Sequence, residues 1–221
     1  MGSVWPPEVT PPINDERAQQ FAREINPDAL LTDVKRAGRP RPLGNCYWNV
    51  ARVVEESGGE TIPGWAIMWW PDLYFVAMHH AIWKMRDGRL LDVTKTQPAD
   101  QRSEHTLFLP DDRLQVSLDR VPCIDNLFFT LERNPLVLGH QEEYRRVQEA
   151  RRQLCQIDFD TGYRCEALFA MAARKEPPPP KQIDADPFTA DRYKALISEH
   201  ARASSALGQA IERLIDRANA K

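Results

Sequence analysis

Three residues of this chain have the types and the order of a thiol-based catalytic site: Cys46, His80 and Asp92. Cys46 opens a segment with a helical pattern, and a thiolate at a helix N-terminus is stabilised by free backbone N–H groups and the helix dipole. His80 and Asp92 lie on two successive strand-like segments. An imidazole held by a carboxylate can take the thiol proton and later return it. The pattern therefore predicts nucleophilic catalysis by Cys46, with His80 as the base and Asp92 orienting it.

The turn between the two strand-like segments decides which histidine Asp92 meets, because His79 and His80 are adjacent. With a two-residue turn, strand alternation puts Asp92 on the face of His79. With a three-residue loop over 86–88, Asp92 instead lies diagonal to His80. A glycine in the third loop position, Gly88, favours the longer loop. The sequence therefore favours His80 as the base and leaves His79 as the alternative.

The order of a helix-opening cysteine, a strand histidine and a polar residue on the next strand resembles the papain-like fold. The 12-residue spacing from His80 to Asp92, with a glycine-containing turn between them, is particularly similar to the NlpC/P60 type of cysteine peptidases and amidases. The resemblance covers residues 40–95. It implies an α+β fold with a helix packed on an antiparallel sheet, and a site made of Cys46, His80 and Asp92.

Two features of this segment depart from the NlpC/P60 pattern. Asn45-Cys46-Tyr47-Trp48 stands where Asp-Cys-Ser-Gly is common, and Asp92 stands where that group often has histidine. The segment looks like a divergent bacterial relative, so no substrate can be carried across. We expect Asn45 in a turn, the alternative being a role in an oxyanion site beside the Cys46 N–H.

The composition is that of a soluble globular protein without nucleic acid or membrane partners. The chain has 221 residues, of which 42% are hydrophobic and 28% charged, with a net charge of −3. No apolar run is long enough to span a membrane, and the N-terminus lacks the pattern of a secretory signal. We expect a cytoplasmic protein with four free cysteines, with export by a signal-less route left open.

No metal or organic cofactor is expected at the site. Cys46, His79, His80 and Asp92 have side chains that suit Zn²⁺. Adjacent histidines on a strand point to opposite faces, however, so both do not easily serve one ion.

The chain divides into five parts by composition and periodicity. They are an extended N-terminal arm (1–13), an α+β cysteine-hydrolase-like domain (14–135), a helical extension (136–175), a proline-rich linker (176–187) and a C-terminal amphipathic helix (188–221). Within them the patterns predict a helix at 14–26, a loop at 37–45, strands or edges at 106–109 and 113–118, an Asp-capped segment at 125–135, and helices at 140–156 and 163–175.

The sequence supports two functions from different classes. The first is a cysteine hydrolase acting on an amide or ester, as an amidase or peptidase, or as a deamidase or acyltransferase, through a thioester. The alternative is a non-catalytic papain-like scaffold whose helix 188–221 docks on a protein partner or on a second copy. We favour a third placement for the apolar stripe of that helix, folded back on its own chain.

Overall fold

A computed structural model of the chain describes residues 5–179 and 186–220. Within them it contains five α-helices, one short 3-10 helix and six strands. In chain order they are α1 (Glu16–Ile25), β1 (Thr32–Arg41), α2 (Cys46–Ser57), β2 (Glu60–Trp70), β3 (Tyr74–Lys84), β4 (Leu90–Thr94), the 3-10 helix (Pro98–Asp100), β5 (His105–Pro110), β6 (Leu127–Thr130), α3 (Pro135–Asp160), α4 (Glu166–Ala172) and α5 (Pro187–Asn219). The expected α+β class is confirmed.

The strands form one sheet that closes on itself. Their order is β2-β5-β1-β4-β3-β6, and β2 pairs with β3 as well, so the first five strands make a closed ring. β6 is added outside that ring, on β3. β1 and β4 run parallel, whereas the other pairs are antiparallel. The expectation of a purely antiparallel sheet is therefore wrong at one pair.

The β3–β4 hairpin has the three-residue loop that the sequence favoured. Lys84 pairs with Leu90, and the backbone N–H of Met85 donates to the carbonyl of Arg89 at 2.8 Å. Gly88 closes the loop with a φ of 85°, a conformation that glycine adopts without the steric cost of a side chain. The predicted register is thus confirmed.

A layer of apolar side chains fills the closed ring of strands. Each of the five strands contributes one residue to this cluster: Val34, Ile62, Ile82, Leu90 and Phe108. Strands of a small barrel alternate inward and outward side chains, so these five positions define the inward face of each strand.

Helices cover the outside of the ring. Phe21 of α1 packs with Trp65 and Phe75 in one apolar cluster. α2 packs on the opposite side, where its residues cluster with Ala81 of β3 and Val93 of β4. α5 lies along α3, and its apolar side chains Leu196, Ile211 and Leu214 are buried. The fold-back of this helix on its own chain is therefore confirmed.

β1 occupies part of a segment for which the sequence predicted a loop. The prediction placed a loop at 37–45, whereas β1 continues to Arg41 and only four residues then separate it from α2. The segment has charged residues, a glycine and a proline, which disfavour strands. Pairing with two neighbours, β5 and β4, outweighs this weak local propensity.

Four other predicted segments need correction. The segment 125–135 contains strand β6, which pairs with the edge of β3 instead of beginning a helix at Asp125. The segment 113–118 forms no strand, while β5 covers the predicted 106–109. The predicted helix 140–156 extends over Pro135–Asp160, because the Asn134 side chain caps its first turn, and the predicted helix 163–175 is shorter.

The N-terminal arm is extended and docks on the sheet. Val9 and Trp69 exchange backbone hydrogen bonds of 3.0 and 2.9 Å. Glu8 is buried and accepts a hydrogen bond of 2.8 Å from the Tyr74 hydroxyl. Residues 1–4 of the predicted arm and 180–185 of the predicted linker lie outside the described residues.

No helix within the described residues is long and apolar enough to cross a membrane.

Candidate active site

A second, polar layer of side chains lies at one end of the ring, two residues along each strand from the apolar layer. Its members are Arg36, Gly64, His80, Asp92 and Thr106, again one per strand. The backbone register shows that these residues lie at one level of the ring, because Arg36 pairs with Asp92 and Gly64 pairs with His80. A β-carbon at Gly64 would lie 2.2 Å from the Leu109 carbonyl oxygen, so only glycine fits there.

The buried Asp92 pairs within this layer with His80, whose side chain is largely buried. The His80 Nε2 atom lies 3.0 Å from Asp92 Oδ2. Asp92 also accepts hydrogen bonds from the Thr106 hydroxyl at 2.6 Å and from the Thr94 N–H at 2.9 Å. Burial by itself would raise the pKa of Asp92, but the His80 charge and these hydrogen bonds hold that pKa below its usual value. Asp92 is therefore an ionised carboxylate in the interior.

His80 is charged for the complementary reason. Burial lowers the pKa of an imidazole, but the charge and hydrogen bond of Asp92, helped by a hydrogen bond with the Cys46 thiol, raise the His80 pKa to about 10. Because Nε2 is engaged by Asp92, Nδ1 is the ring nitrogen left to meet the thiol. His80 thus engages the Asp92 carboxylate through Nε2, and the nearby Cys46 thiol also favours its charged form.

Cys46 is the first residue of α2 and lies over the end of the ring. Its side chain is largely buried but lines a cavity that is described below. Asn45 precedes it at the N-cap position without capping the first turn by its side chain. The Asn45 amide instead donates to the Leu168 carbonyl at 2.9 Å, which ties α2 to α4. The first-turn N–H groups of α2 are therefore left without a side-chain cap, as an anion site requires.

His79 has a different environment from its neighbour. Its ring stacks on Tyr47, with the ring centroids 5.6 Å apart. Burial, together with the nearby charges of Arg151 and His80, lowers the His79 pKa to about 4. Its buried Nδ1 atom has no hydrogen-bond partner within the described residues. His79 is therefore neutral, and Asp92 pairs with His80 instead.

Arg36 and Thr106 extend the polar layer toward the N-terminal arm. Arg36 Nε donates to the Thr106 hydroxyl oxygen at 2.8 Å, which leaves the Thr106 proton for Asp92. The Arg36 guanidinium also pairs with Asp100 at 2.6 Å, and both side chains are buried. The hydroxyl and the N–H of Thr10 in turn donate to Asp100 at 2.8 and 2.9 Å. A continuous set of hydrogen bonds thus joins the arm to Asp92.

A cavity of about 330 Å³ opens over the polar layer. Cys46, His80 and Asp92 line its floor, together with Thr106 and Arg36. Its walls come from the N-terminal arm, the loop before α2, the segment after β4 and one face of α3. The candidate nucleophile therefore faces a space that a small ligand or a side chain can enter.

Comparison of the chain with protein-family models, with curated proteins and with solved structures gives no match.

The described residues contain no group of three or more histidine, cysteine, aspartate or glutamate side chains that could hold a metal ion.

The other three cysteines have unlike surroundings, and one of them, Cys165, belongs to the same apolar cluster as Cys46. Cys165 is fully buried. Cys123 is half-buried, and a hydrogen bond with Cys155 lowers its pKa to about 7, against the effect of burial. Cys123 is thus a second reactive thiol in any labelling experiment.

The structure brings together all three residues that the sequence singled out. Cys46, His80 and Asp92 meet at one end of the ring, in the register that the hairpin loop predicted. Sequence reasoning missed Arg36 and Thr106, which hold Asp92 from the other side. For Thr106 a signal was present: it is the polar residue two positions before the buried Phe108 on a predicted strand. For Arg36 there was none, because its strand was not predicted.

Proposed function

We propose that this protein is a cysteine hydrolase of the papain-like kind, in which Cys46 attacks a carbonyl carbon with the help of His80 and Asp92. The observation that carries the proposal is that Cys46, at a helix N-terminus, lines the same cavity as His80, whose imidazole is hydrogen-bonded to the Asp92 carboxylate. That arrangement contains a nucleophile, a base within reach of it and a group that orients the base. The same three residues serve amides and esters, so the substrate class is an acyl compound of either kind.

The first half of the reaction forms a thioester. The Cys46 thiolate attacks the carbonyl carbon, the C–S bond forms, and the carbonyl oxygen takes up the negative charge. The first-turn N–H groups of α2 provide donors for that oxyanion. As the tetrahedral species collapses, the C–N or C–O bond of the substrate breaks, and His80 gives its proton to the leaving amine or alcohol.

The second half clears the thioester. His80, now neutral, takes a proton from a water molecule, whose oxygen attacks the thioester carbon. The C–S bond breaks, a carboxylic acid leaves, and the proton returns to the thiolate–imidazole pair. Asp92 stays ionised throughout and keeps the ring in the orientation that points Nδ1 at the thiol. An amine in place of water gives acyl transfer with the same residues. No step needs a metal or an organic cofactor.

The alternative of a non-catalytic scaffold depends on the surface of α5. Of the apolar side chains of α5, Leu196, Ile211 and Leu214 are buried within the chain, whereas Ile197 is exposed. Docking of a partner or of a second copy on this helix stays a prediction, and no contact of α5 favours it over catalysis.

The test uses 4-nitrophenyl acetate, a small activated ester, and follows both nitrophenol release and the mass of the protein. We expect acetylation at Cys46 followed by turnover, with loss of both in Cys46→Ser and His80→Ala. Cys123→Ser is the matched control, because it removes the other reactive thiol and leaves the site intact.

The result has three readings. Acetyl-Cys46 that forms and is hydrolysed supports a hydrolase. Acetyl-Cys46 that accumulates until an amine is added supports an acyltransferase. Acetylation that spreads over all accessible cysteines, or that persists unchanged in His80→Ala, would falsify the proposal.

A further inference from the structure

The charged side chains around the cavity are not balanced. Among the described residues its lining contains one carboxylate and three permanently cationic side chains: Asp92, Arg36, Lys95 and Arg151. Asp92 is paired with His80, and Arg36 is paired with Asp100. Within the part of the chain that the structure describes, Lys95 and Arg151 make no side-chain hydrogen bond or ion pair. Two positive charges therefore face the cavity without an acidic partner.

The two cations come from separate elements. Lys95 directly follows β4, three residues after Asp92, and its backbone N–H donates to the Arg41 carbonyl at 2.9 Å. Arg151 projects from α3, and its charge acts on the ring of His79 and on the hydroxyl of Tyr144 inside the cavity. Both side chains are exposed, so they lie at the mouth and not on the floor.

We infer that the cavity takes acyl substrates that carry a carboxylate close to the reactive carbonyl, and that Arg151 and Lys95 bind this carboxylate at the mouth. Arginine forms paired hydrogen bonds with a carboxylate, and lysine adds a second positive charge. Exposed cations retain their water until a ligand arrives, so they attract an anion at little cost to the empty protein. The inference rests on the proposed function, because it concerns the substrate of the same thiol.

The test compares two alkylating reagents that share one reactive group, iodoacetylglycine and its uncharged amide, iodoacetylglycinamide. Both react with the Cys46 thiolate by displacing iodide, so the ratio of their rates cancels the fraction of thiolate and reports the charge preference alone. The rates are measured on the full chain, by mass spectrometry of the peptide that contains Cys46. In low salt we expect the ratio of the anionic to the uncharged rate to be roughly ten times larger for Cys46 than for a small free thiol in solution.

Substitutions locate the preference. Arg151→Gln and Lys95→Gln should each reduce the ratio about threefold, and the double variant should abolish the preference. Arg152→Gln is the matched control. It removes the same charge from the next residue of α3, which is paired with Asp125 and does not line the cavity. High salt should reduce the wild-type ratio as well, because ions screen exposed charges.

The outcomes separate this inference from the proposed function. Fast labelling of Cys46 by both reagents without an anion preference overturns the inference and leaves the hydrolase proposal standing. Slow labelling by both, at the rate of an ordinary thiol, overturns both. An equal drop in Arg152→Gln and Arg151→Gln would assign the preference to overall charge and overturn the inference.

Discussion

The two sides of strand β3 shift the pKa values of adjacent histidines in opposite directions. His79, against α2 and α3, has a pKa lowered to about 4 and stacks on Tyr47. His80, inside the ring, has a pKa raised to about 10 although it is buried as well. Burial acts on both rings in the same direction, toward the neutral form. The difference is Asp92, which meets one ring and not the other.

This contrast shows what the interior of a small barrel can do for a catalytic base. Inward positions of five strands converge at one level, so a histidine on one strand finds a carboxylate from the next and a hydroxyl from a third. The outward position one residue away finds an aromatic ring and a helix. A one-residue change in the hairpin loop would exchange the two environments.

The largest expected effect is on the reactivity of Cys46. At pH 6, His80→Ala should slow alkylation of Cys46 by iodoacetamide roughly a hundredfold, because the variant lacks the charged imidazole that stabilises the thiolate. His79→Ala should change the rate by less than about threefold, since a neutral ring does not stabilise a thiolate. The measurement is the labelling rate of each cysteine peptide against pH.

The other thiols give this experiment an internal reference. Labelling of Cys123 should be the same in wild type and in both variants, because it depends on Cys155 and on nearby arginines. If His79→Ala slowed Cys46 and His80→Ala did not, the assignment of the base would be reversed.

The second effect is on stability. Asp92→Asn should lower the free energy of unfolding by about 3–5 kcal/mol, because it leaves a largely buried imidazole without its counter-charge. Asp33→Asn is a matched control at the surface: Asp33 lies 3.1 Å from His105 Nδ1, and both side chains are 44% exposed. Exposed pairs of this kind contribute about 0–1 kcal/mol, so the control should change little. Similar losses in both variants, measured by urea unfolding, would contradict a special role for the interior pair.

The two histidines should also give opposite pH dependences of stability. The folded pKa of His80 lies above its unfolded value, so its contribution is present below about pH 6.5 and is lost as the pH rises through about 10. The folded pKa of His79 lies below its unfolded value, so its contribution is present above about pH 6.5 and is lost as the pH falls toward about 4.

Replacing His79 by a residue that does not titrate isolates its contribution to the pH dependence of stability below about pH 6.5. His79→Gln should make the free energy of unfolding less dependent on pH between 4 and 6.5, by on the order of 2 kcal/mol. Part of the slope should remain, because burial also lowers the pKa of His140 to about 4. Unfolding curves for wild type and variant at several pH values measure the difference, and parallel curves would exclude His79 as a buried neutral ring.

The sequence was informative where local chemistry fixed the geometry. Gly88 in the third loop position determined the register of the hairpin, and through it which histidine Asp92 would approach. The helical pattern that begins at Cys46 was informative in the same way, because Cys46 is the first residue of α2. In each case a single residue or a short period carries the information.

The sequence was uninformative where distant pairing decides. β1 has weak strand propensity and is stabilised by β4 and β5, and β6 is added to the edge of β3. Arg36 belongs to the site only because β1 is parallel to β4 at that level. Closure of the ring, which brings Arg36 and Thr106 to Asp92, depends on contacts between residues that lie up to about 70 positions apart. No local pattern encodes such contacts.

A smaller effect is expected from the hydroxyl that supports Asp92. Thr106→Val keeps the shape of the side chain but removes the donor to Asp92 and the acceptor for Arg36, at a cost of about 1–2 kcal/mol. It should also slow Cys46 alkylation at pH 6, since Asp92 is then free to turn away from His80. Thr106→Ser should restore both, because it keeps the hydroxyl. A rate that is unchanged in Thr106→Val would limit Thr106 to a packing role.

The smallest effect is expected on the other side of β3, at Tyr47. Its buried hydroxyl has no hydrogen-bond partner within the described residues. Tyr47→Phe keeps the ring that stacks on His79 and removes an unsatisfied group, so the free energy of unfolding should stay within about 0.5 kcal/mol of wild type or rise. Tyr74→Phe is the contrasting variant, since the Tyr74 hydroxyl donates to buried Glu8 at 2.8 Å. Its loss should cost about 1–3 kcal/mol. Equal losses would mean that the Tyr47 hydroxyl is bonded after all, and that this side of the strand is also a polar site.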